Sequence, residues 1–299
     1  MNFDIFQLRS IKARVTLFSL AIFLISIWSL TFYASWILRG DMESMLGEQQ
    51  LSIVSAIASD INQDLTDRLT ALDAVAKSIL PAMQKGSAAV QALIEQRPIL
   101  PTMFNAGFFV TDVDGAAIAS LPVSAGRVGR NYIDQDHVAA ALKEGKSTSG
   151  RPHIVKARNT PVFDITVPIR DAQGKVIGSL TGATNLAIPN FLDRNTDRKY
   201  GKTGGYAIVA PQQRLVITAT DKKHMMQPLP AIGINPQIDR FVQGYEGSAV
   251  YTNPRGEEAL VSAKGIPAAG WYFGVQLPTK EAFAPIRAMW QRMLIVALF

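Results

Sequence analysis

Twenty-four consecutive residues, Val15 to Leu38, carry no charge and lie between Arg14 and Arg39. As a helix rising about 1.5 Å per residue they reach roughly 36 Å, enough to cross a hydrocarbon core of about 30 Å with some tilt. The run is too long for the apolar core of a signal peptide. Its exit, Ser35-Trp36-Ile37-Leu38-Arg39, offers no small-x-small cleavage site, so it reads as a retained anchor. Tyr33 and Trp36 suit the far interface. Arg9, Lys12 and Arg14, opposed only by Asp4, assign residues 1–14 to the cytoplasm and the chain after residue 38 to the other side.

A second apolar stretch, residues 293–299, follows Arg287, Trp290 and Arg292 and reads as the start of a second membrane helix, cut short. The layout is a water-compatible domain looped out between two spans. It receives a signal on one side of a membrane, and its output is expected beyond Phe299.

That loop is long enough for a helix and two modules of about 100 residues each. The net charge of +6 lies largely in juxtamembrane Lys and Arg, where contact with membrane lipid accounts for it. No basic run is interleaved with aromatics, so nucleic acid is not an expected partner. With no cysteine, zinc–thiolate sites, disulfides and cysteine nucleophiles are excluded. No cofactor or metal is expected.

Beyond the span the pattern is helical over residues 40–82. Leu51, Ala58, Leu65, Leu72 and Ile79 recur every seven residues, with Val54, Ile61, Arg68 and Val75 three residues on. Pro81 is expected to end the helix. The stripe can pack on its own domain or also pair with the same helix of a second copy in a homodimer. After Gly86 the period changes. Phe108–Thr111 and Ala116–Leu121 flank an Asp-Gly hairpin, and His137–Glu144 reads as a short helix stopped by Gly145. Val162–Ile169 and Val176–Leu186 flank a second turn. A similar series follows: Gly205–Ala210, Leu215–Ala219, Gly247–Thr252, Glu258–Ala263 and Gly270–Leu277, with a turn at Asn253-Pro254-Arg255-Gly256. Helices beside two antiparallel sheets make an α+β chain with a duplicated module.

Gly129-Arg130-Asn131-Tyr132 with Gly150-Arg151-Pro152, Val167-Pro168-Ile169-Arg170-Asp171 with Gly174-Lys175-Val176-Ile177-Gly178, Gly201-Lys202-Thr203-Gly204-Gly205-Tyr206, and Gly270-Trp271 with Leu277-Pro278 follow one another in an order that resembles the double Cache family. These are the extracytoplasmic sensor domains of bacterial receptors. The resemblance covers roughly residues 40 to 285. It implies two PAS-like modules, a membrane-distal one over 83–192 and a membrane-proximal one over 193–285, in the periplasm of an inner-membrane protein. The distal module usually holds the ligand. The style of the second half is similar to versions fused to diguanylate cyclases; histidine kinases and chemoreceptors are the alternative outputs.

In that light Tyr132, Asp134, Asp136 and His137 border the expected distal pocket. An aromatic ring beside carboxylates suits a small cationic or zwitterionic ligand. Arg151 suits a bidentate clamp on a carboxylate. Phe163 and Asp164 on one strand, with Thr184 and Asn185 on the next, are expected to complete a wall. The plainer alternative has Asp134 or Asp136 capping the next helix, with His137 exposed in its first turn. The longer aromatic–Arg–Trp-Tyr signature of amino-acid-binding members is absent; Gln135 and His137 stand where an arginine and an aromatic are often found. A reading from another class makes Asp134, Asp136 and His137 the centre of a tethered metal-dependent hydrolase. Gly201-Lys202-Thr203 lacks the earlier glycine of a phosphate loop, where Thr196 stands, and Arg255-Gly256-Glu257-Glu258 reads as a turn.

Overall fold

The computed structural model describes residues 11–97, 99–155, 159–252 and 256–298, and all their side chains but those of residues 12, 13, 99 and 294–298. Asp4, Arg9, the Asn253-Pro254-Arg255 turn and Phe299 lie outside the described residues.

One helix, α1 (Ile11–Met83), contains both the apolar run and the heptad stripe without a break. Its 73 residues make a rod of about 110 Å. Pro81 does not end it. A proline two residues before the end costs one hydrogen bond and leaves the last turn in place, so α1 runs on to Met83. Within α1 an 18-residue window has a mean hydropathy of 2.1 and is 6% buried, apolar enough to cross a membrane. Thr31 and Ser35 are covered, and Trp28 meets Trp290 at 6.1 Å between ring centroids. Trp290, on α8 (Ala284–Leu298), therefore packs against the apolar run of α1.

The stripe is buried against the chain's own sheets. Val54, Ile61, Leu72 and Ile79 are fully covered, and only Leu51 of the two series is partly open. Arg68 sits in the stripe at 8% exposure because its polar atoms have local partners. It donates to the Asp64 carbonyl at 2.9 Å and lies 3.7 Å over the Phe191 ring.

Two antiparallel sheets flank the helix. The first has β1 (Phe108–Asp112), β2 (Ala117–Leu121), β3 (Thr148–Ser149), β4 (His153–Val155), β5 (Thr160–Arg170) and β6 (Val176–Asn185). Its order is β2-β1-β6-β5-β3, with β4 also on β5. The second has β7 (Gly205–Ala210), β8 (Leu215–Ala219), β9 (Gly247–Thr252), β10 (Glu258–Ile266) and β11 (Trp271–Pro278), in the order β8-β7-β11-β10-β9. The two orders match strand for strand, so the duplication is a matter of topology. Two turns of the first sheet use one device. Asp112 Oδ1 accepts from the amides of Asp114 and Ala116, and Asp171 Oδ1 from those of Gln173 and Lys175. Gly115 and Gly174 supply the positive φ at each.

Short helices complete the layers: α2 (Ser87–Glu95), α3 (Ile99–Met103), α4 (Asp136–Ala139), which continues as a π-helical turn over Ala140–Glu144, α5 (Asp193–Thr196), α6 (Pro236–Val242) and α7 (Thr279–Ala282). The helices α2, α3, α5, α6 and α7 had no counterpart among the sequence expectations. Only α6 carries a full start signal, Asn235 as cap followed by Pro236.

Candidate functional site

Period-two alternation divides β5 between two environments. Phe163, Ile165, Val167 and Ile169 join the core beneath α1, while Asp164 and Thr166 turn to the far face. Cross-strand partners share a face, so Ala183 lies with Asp164 and Thr184 with Phe163. The far face is polar and covered. Thr166 bonds Thr181 at 2.9 Å, and Thr111 bonds Ser179 at 2.7 Å. The α4 turn closes over it with Val138, Ala141 and Leu142 buried.

Asp164 is the charged group of that face. Its Oδ2 lies 3.6 Å from His137 Nε2 and 3.9 Å from His153 Nε2, both beyond hydrogen-bond length. Neither imidazole is close enough to donate a hydrogen bond to its carboxylate. Burial pushes the Asp164 carboxyl above the ordinary range, against the opposing pull of His137, His153 and Arg127. Burial likewise pushes His137 below its ordinary value. Tyr132 belongs to the same neighbourhood. Its ring stands 4.5 Å from that of Phe109, which Arg127 faces at 5.6 Å, and burial raises its hydroxyl. A buried carboxylate without a donor is costly unless something cationic completes it. Two aromatic rings nearby suit the same charge.

His137 also lines a cavity of about 210 Å³ between the two sheets. Asp136, Thr148 and Arg151 line it from the first sheet's side, and Gln212, Gln213, Gly270 and Trp271 from the second's. Arg151 Nε pairs with Asp136 at 3.1 Å across exposed side chains. Gly150 makes the His137 position possible: a Cβ there would stand 2.7 Å from His137 Nδ1 and 3.2 Å from the Asp164 carbonyl.

The nine sequence candidates therefore separate. Tyr132, His137 and Asp164 gather on the far face, and Asp136, His137 and Arg151 at the cavity. His137 is buried, so the exposed first-turn alternative does not hold for it. Asp134 and Asp136 are exposed, and neither caps α4, whose leading residue Gln135 makes no side-chain cap. Phe163 and Thr184 do not share the Asp164 wall. Phe163 packs on Trp271 at 4.6 Å, and the Thr184 hydroxyl is buried with no partner among the described residues. Asn185 is spent on a turn, accepting from the Ala187 amide. Among the described residues no three His, Asp or Glu are arranged to hold a metal ion, which removes the basis of the hydrolase reading. Phe109, Arg127 and His153 were missed. The alternation of Phe163 to Ile169 was a readable signal for the two faces; nothing local marked His153.

The Cache domain family (dCache_1) matches residues 39–286. The chain belongs to this family. Among solved structures, this Cache chain is similar to the ligand-binding domain of the Pseudomonas aeruginosa PAO1 amino acid chemoreceptor PctB in complex with L-Gln. There the TM-score is 0.64 at 20% identity, over 84% of this chain and 99% of that one. The ligand-binding domain of the Pseudomonas fluorescens chemoreceptor CtaA, in complex with L-serine, gives 0.60 at 21%, over 81% and 99%. An extracellular ligand binding receptor from Desulfohalobium retbaense gives 0.57 at 14%, over 76% of this chain and 40% of that one. At these identities the likeness establishes the fold alone. A comparison with curated protein sequences finds no match.

Proposed function

We propose that this Cache chain is the sensory input region of a bacterial inner-membrane receptor, with its two sheets in the periplasm and α1 crossing the membrane. Its ligand is a small solute bearing an ammonium group, held at Asp164. One observation carries this: a buried carboxylate between two imidazoles that stand too far off to donate to it, near the rings of Tyr132 and Phe109. An ammonium would complete it through charge-assisted hydrogen bonds and cation–π contact. The amino-acid complexes of PctB and CtaA support a zwitterion as one such ligand. Those two relatives also support a chemoreceptor output at least as well as the diguanylate cyclase expected from the sequence style. A ligand that prefers one arrangement of the distal sheet would bias α1, and with it the output.

Calorimetric titration of residues 39–286 with small amines and amino acids tests the site. A binder should lose roughly 30-fold or more in affinity in Asp164→Asn, since truncating one partner of a buried charged pair costs about 2–5 kcal/mol. Undiminished binding in that variant would move the site elsewhere.

A further inference from the structure

Among the described residues beyond α1, two isoleucines are the most exposed of the large apolar side chains. Ile232 is 78% exposed and Ile234 66%, ahead of Val123 at 60%. They flank Gly233 in the turn before α6, and that turn is braced. The Gly233 amide donates to Asp239 Oδ2 at 2.8 Å, Asp239 pairs with Arg214 at 2.8 Å, and Arg214 also donates to the Pro230 carbonyl. The Ile234 amide closes on the Ala231 carbonyl at 3.2 Å. An exposed apolar pair on a braced turn is the form of an interaction surface, since little ordering is needed for it to bind.

The height of that turn along α1 is set by three contacts. Trp36, Ile37 and Leu38 are exposed apolar residues, so lipid must reach their level, and Arg39 marks the edge. Ser248 at the head of β9 donates to the Gly47 carbonyl, which lies eight residues (39 to 47), or about 12 Å, farther out than Arg39. From Ser248 to Thr252, β9 covers four residues, or about 13 Å. It runs back toward the membrane edge, because Thr252 pairs with Glu258, whose carboxylate holds Arg39 at 3.2 Å. Asn235 then donates to the Thr252 carbonyl at 2.9 Å. The Ile232–Ile234 turn is thus tied to the strand end that lies level with Arg39.

We propose that Ile232 and Ile234 insert into the headgroup–acyl boundary of the outer leaflet and seat the second sheet on the membrane that α1 crosses. The inference rests on the reading of α1 as a span. Two isoleucines at the boundary add apolar contact that α1 does not supply and limit tilting of the sheet about α1. Their partner is the lipid surface, not a second copy of the chain.

The absence of cysteine makes single-site labelling direct. The full chain, in vesicles of phosphatidylethanolamine and phosphatidylglycerol, would carry a nitroxide at Ile232→Cys, at Ile22→Cys inside the run, or at Val113→Cys in the β1–β2 turn. Collision with oxygen and with a water-soluble nickel chelate reads depth at each. The expected result is oxygen accessibility several-fold above nickel at residues 22 and 232, and the reverse at 113. A nickel-dominated reading at 232 with an apolar one at 22 overturns the proposal and leaves the span intact. Protection of 232 from both reagents overturns it in favour of a protein contact. An aqueous reading at 22 overturns the span and the proposal together. Matching circular dichroism across the three variants keeps misfolding out of the comparison.

Discussion

The two sheets share a strand order and differ in what covers the face turned away from α1. On the second sheet that face carries a run of rings beside the Arg214–Asp239 pair. Tyr272 meets Phe241 at 6.4 Å, Phe241 meets Tyr245 at 5.5 Å, and burial pushes the Tyr272 hydroxyl far up. On the first sheet the corresponding face carries paired hydroxyls, two histidines and a carboxylate. Rings packed on rings need no further partner. A buried carboxylate does, because desolvation penalises its charged form. That difference supports the first sheet as the sensing one.

The contrast can be sharpened inside the first sheet, where neighbours on β5 belong to different faces. Phe163→Ala empties a fully buried site under α1 and should cost about 4 kcal/mol in chemical denaturation. A loss below about 1 kcal/mol would mean that Phe163 does not belong to the core. Gly150→Ala acts on the other face. Its methyl must displace His137, so a loss of about 2 kcal/mol and weaker ligand binding are expected. Unchanged stability and affinity there would show that His137 has room the structure denies it. Thr184→Val removes a buried hydroxyl that has no partner among the described residues, and should stabilise by about 1 kcal/mol with affinity unaltered. A drop in affinity would return Thr184 to the ligand wall.

The smallest effect is a matter of pH. His137 is held below its ordinary value of 6.5 by burial, so the unfolded chain binds the extra proton first. Stability should fall as the pH drops below 6.5 toward the folded value. Asp164 works in the opposite sense. Its carboxyl is raised above 3.8, so stability is regained as the pH falls through its folded value. Melting curves between pH 4 and 8 should show the first decline in the parent chain and not in His137→Gln. An identical decline in both would assign it to another group.

Much of the fold was readable because its signals are periodic and local. The seven-residue spacing from Leu51 to Ile79, the Asp-Gly turns and the alternating strands each report one element's own preference. Pro81 misled because a proline penalty is small beside the packing that holds the last turn of α1. Legibility was poorer at the site. Tyr132, His137 and Asp164 were singled out as chemical types, but Phe163 and Thr184 were placed beside Asp164 when strand alternation sends them to the opposite face. His153 carried no signal, since its value comes from β4 lying beside β5.

The sequence by itself determined that this chain has an apolar run long enough to span a membrane, an amphipathic helix beyond it and two antiparallel modules. Those features follow from hydropathy and backbone preference along short stretches of chain. Only the tertiary structure decided that apolar run and stripe are one unbroken helix, that Asp164 is buried between His137 and His153, and that the turn before α6 is tied through Thr252 and Glu258 to Arg39. Those facts depend on strand pairing and on contacts between residues far apart in the chain, and no local pattern encodes them.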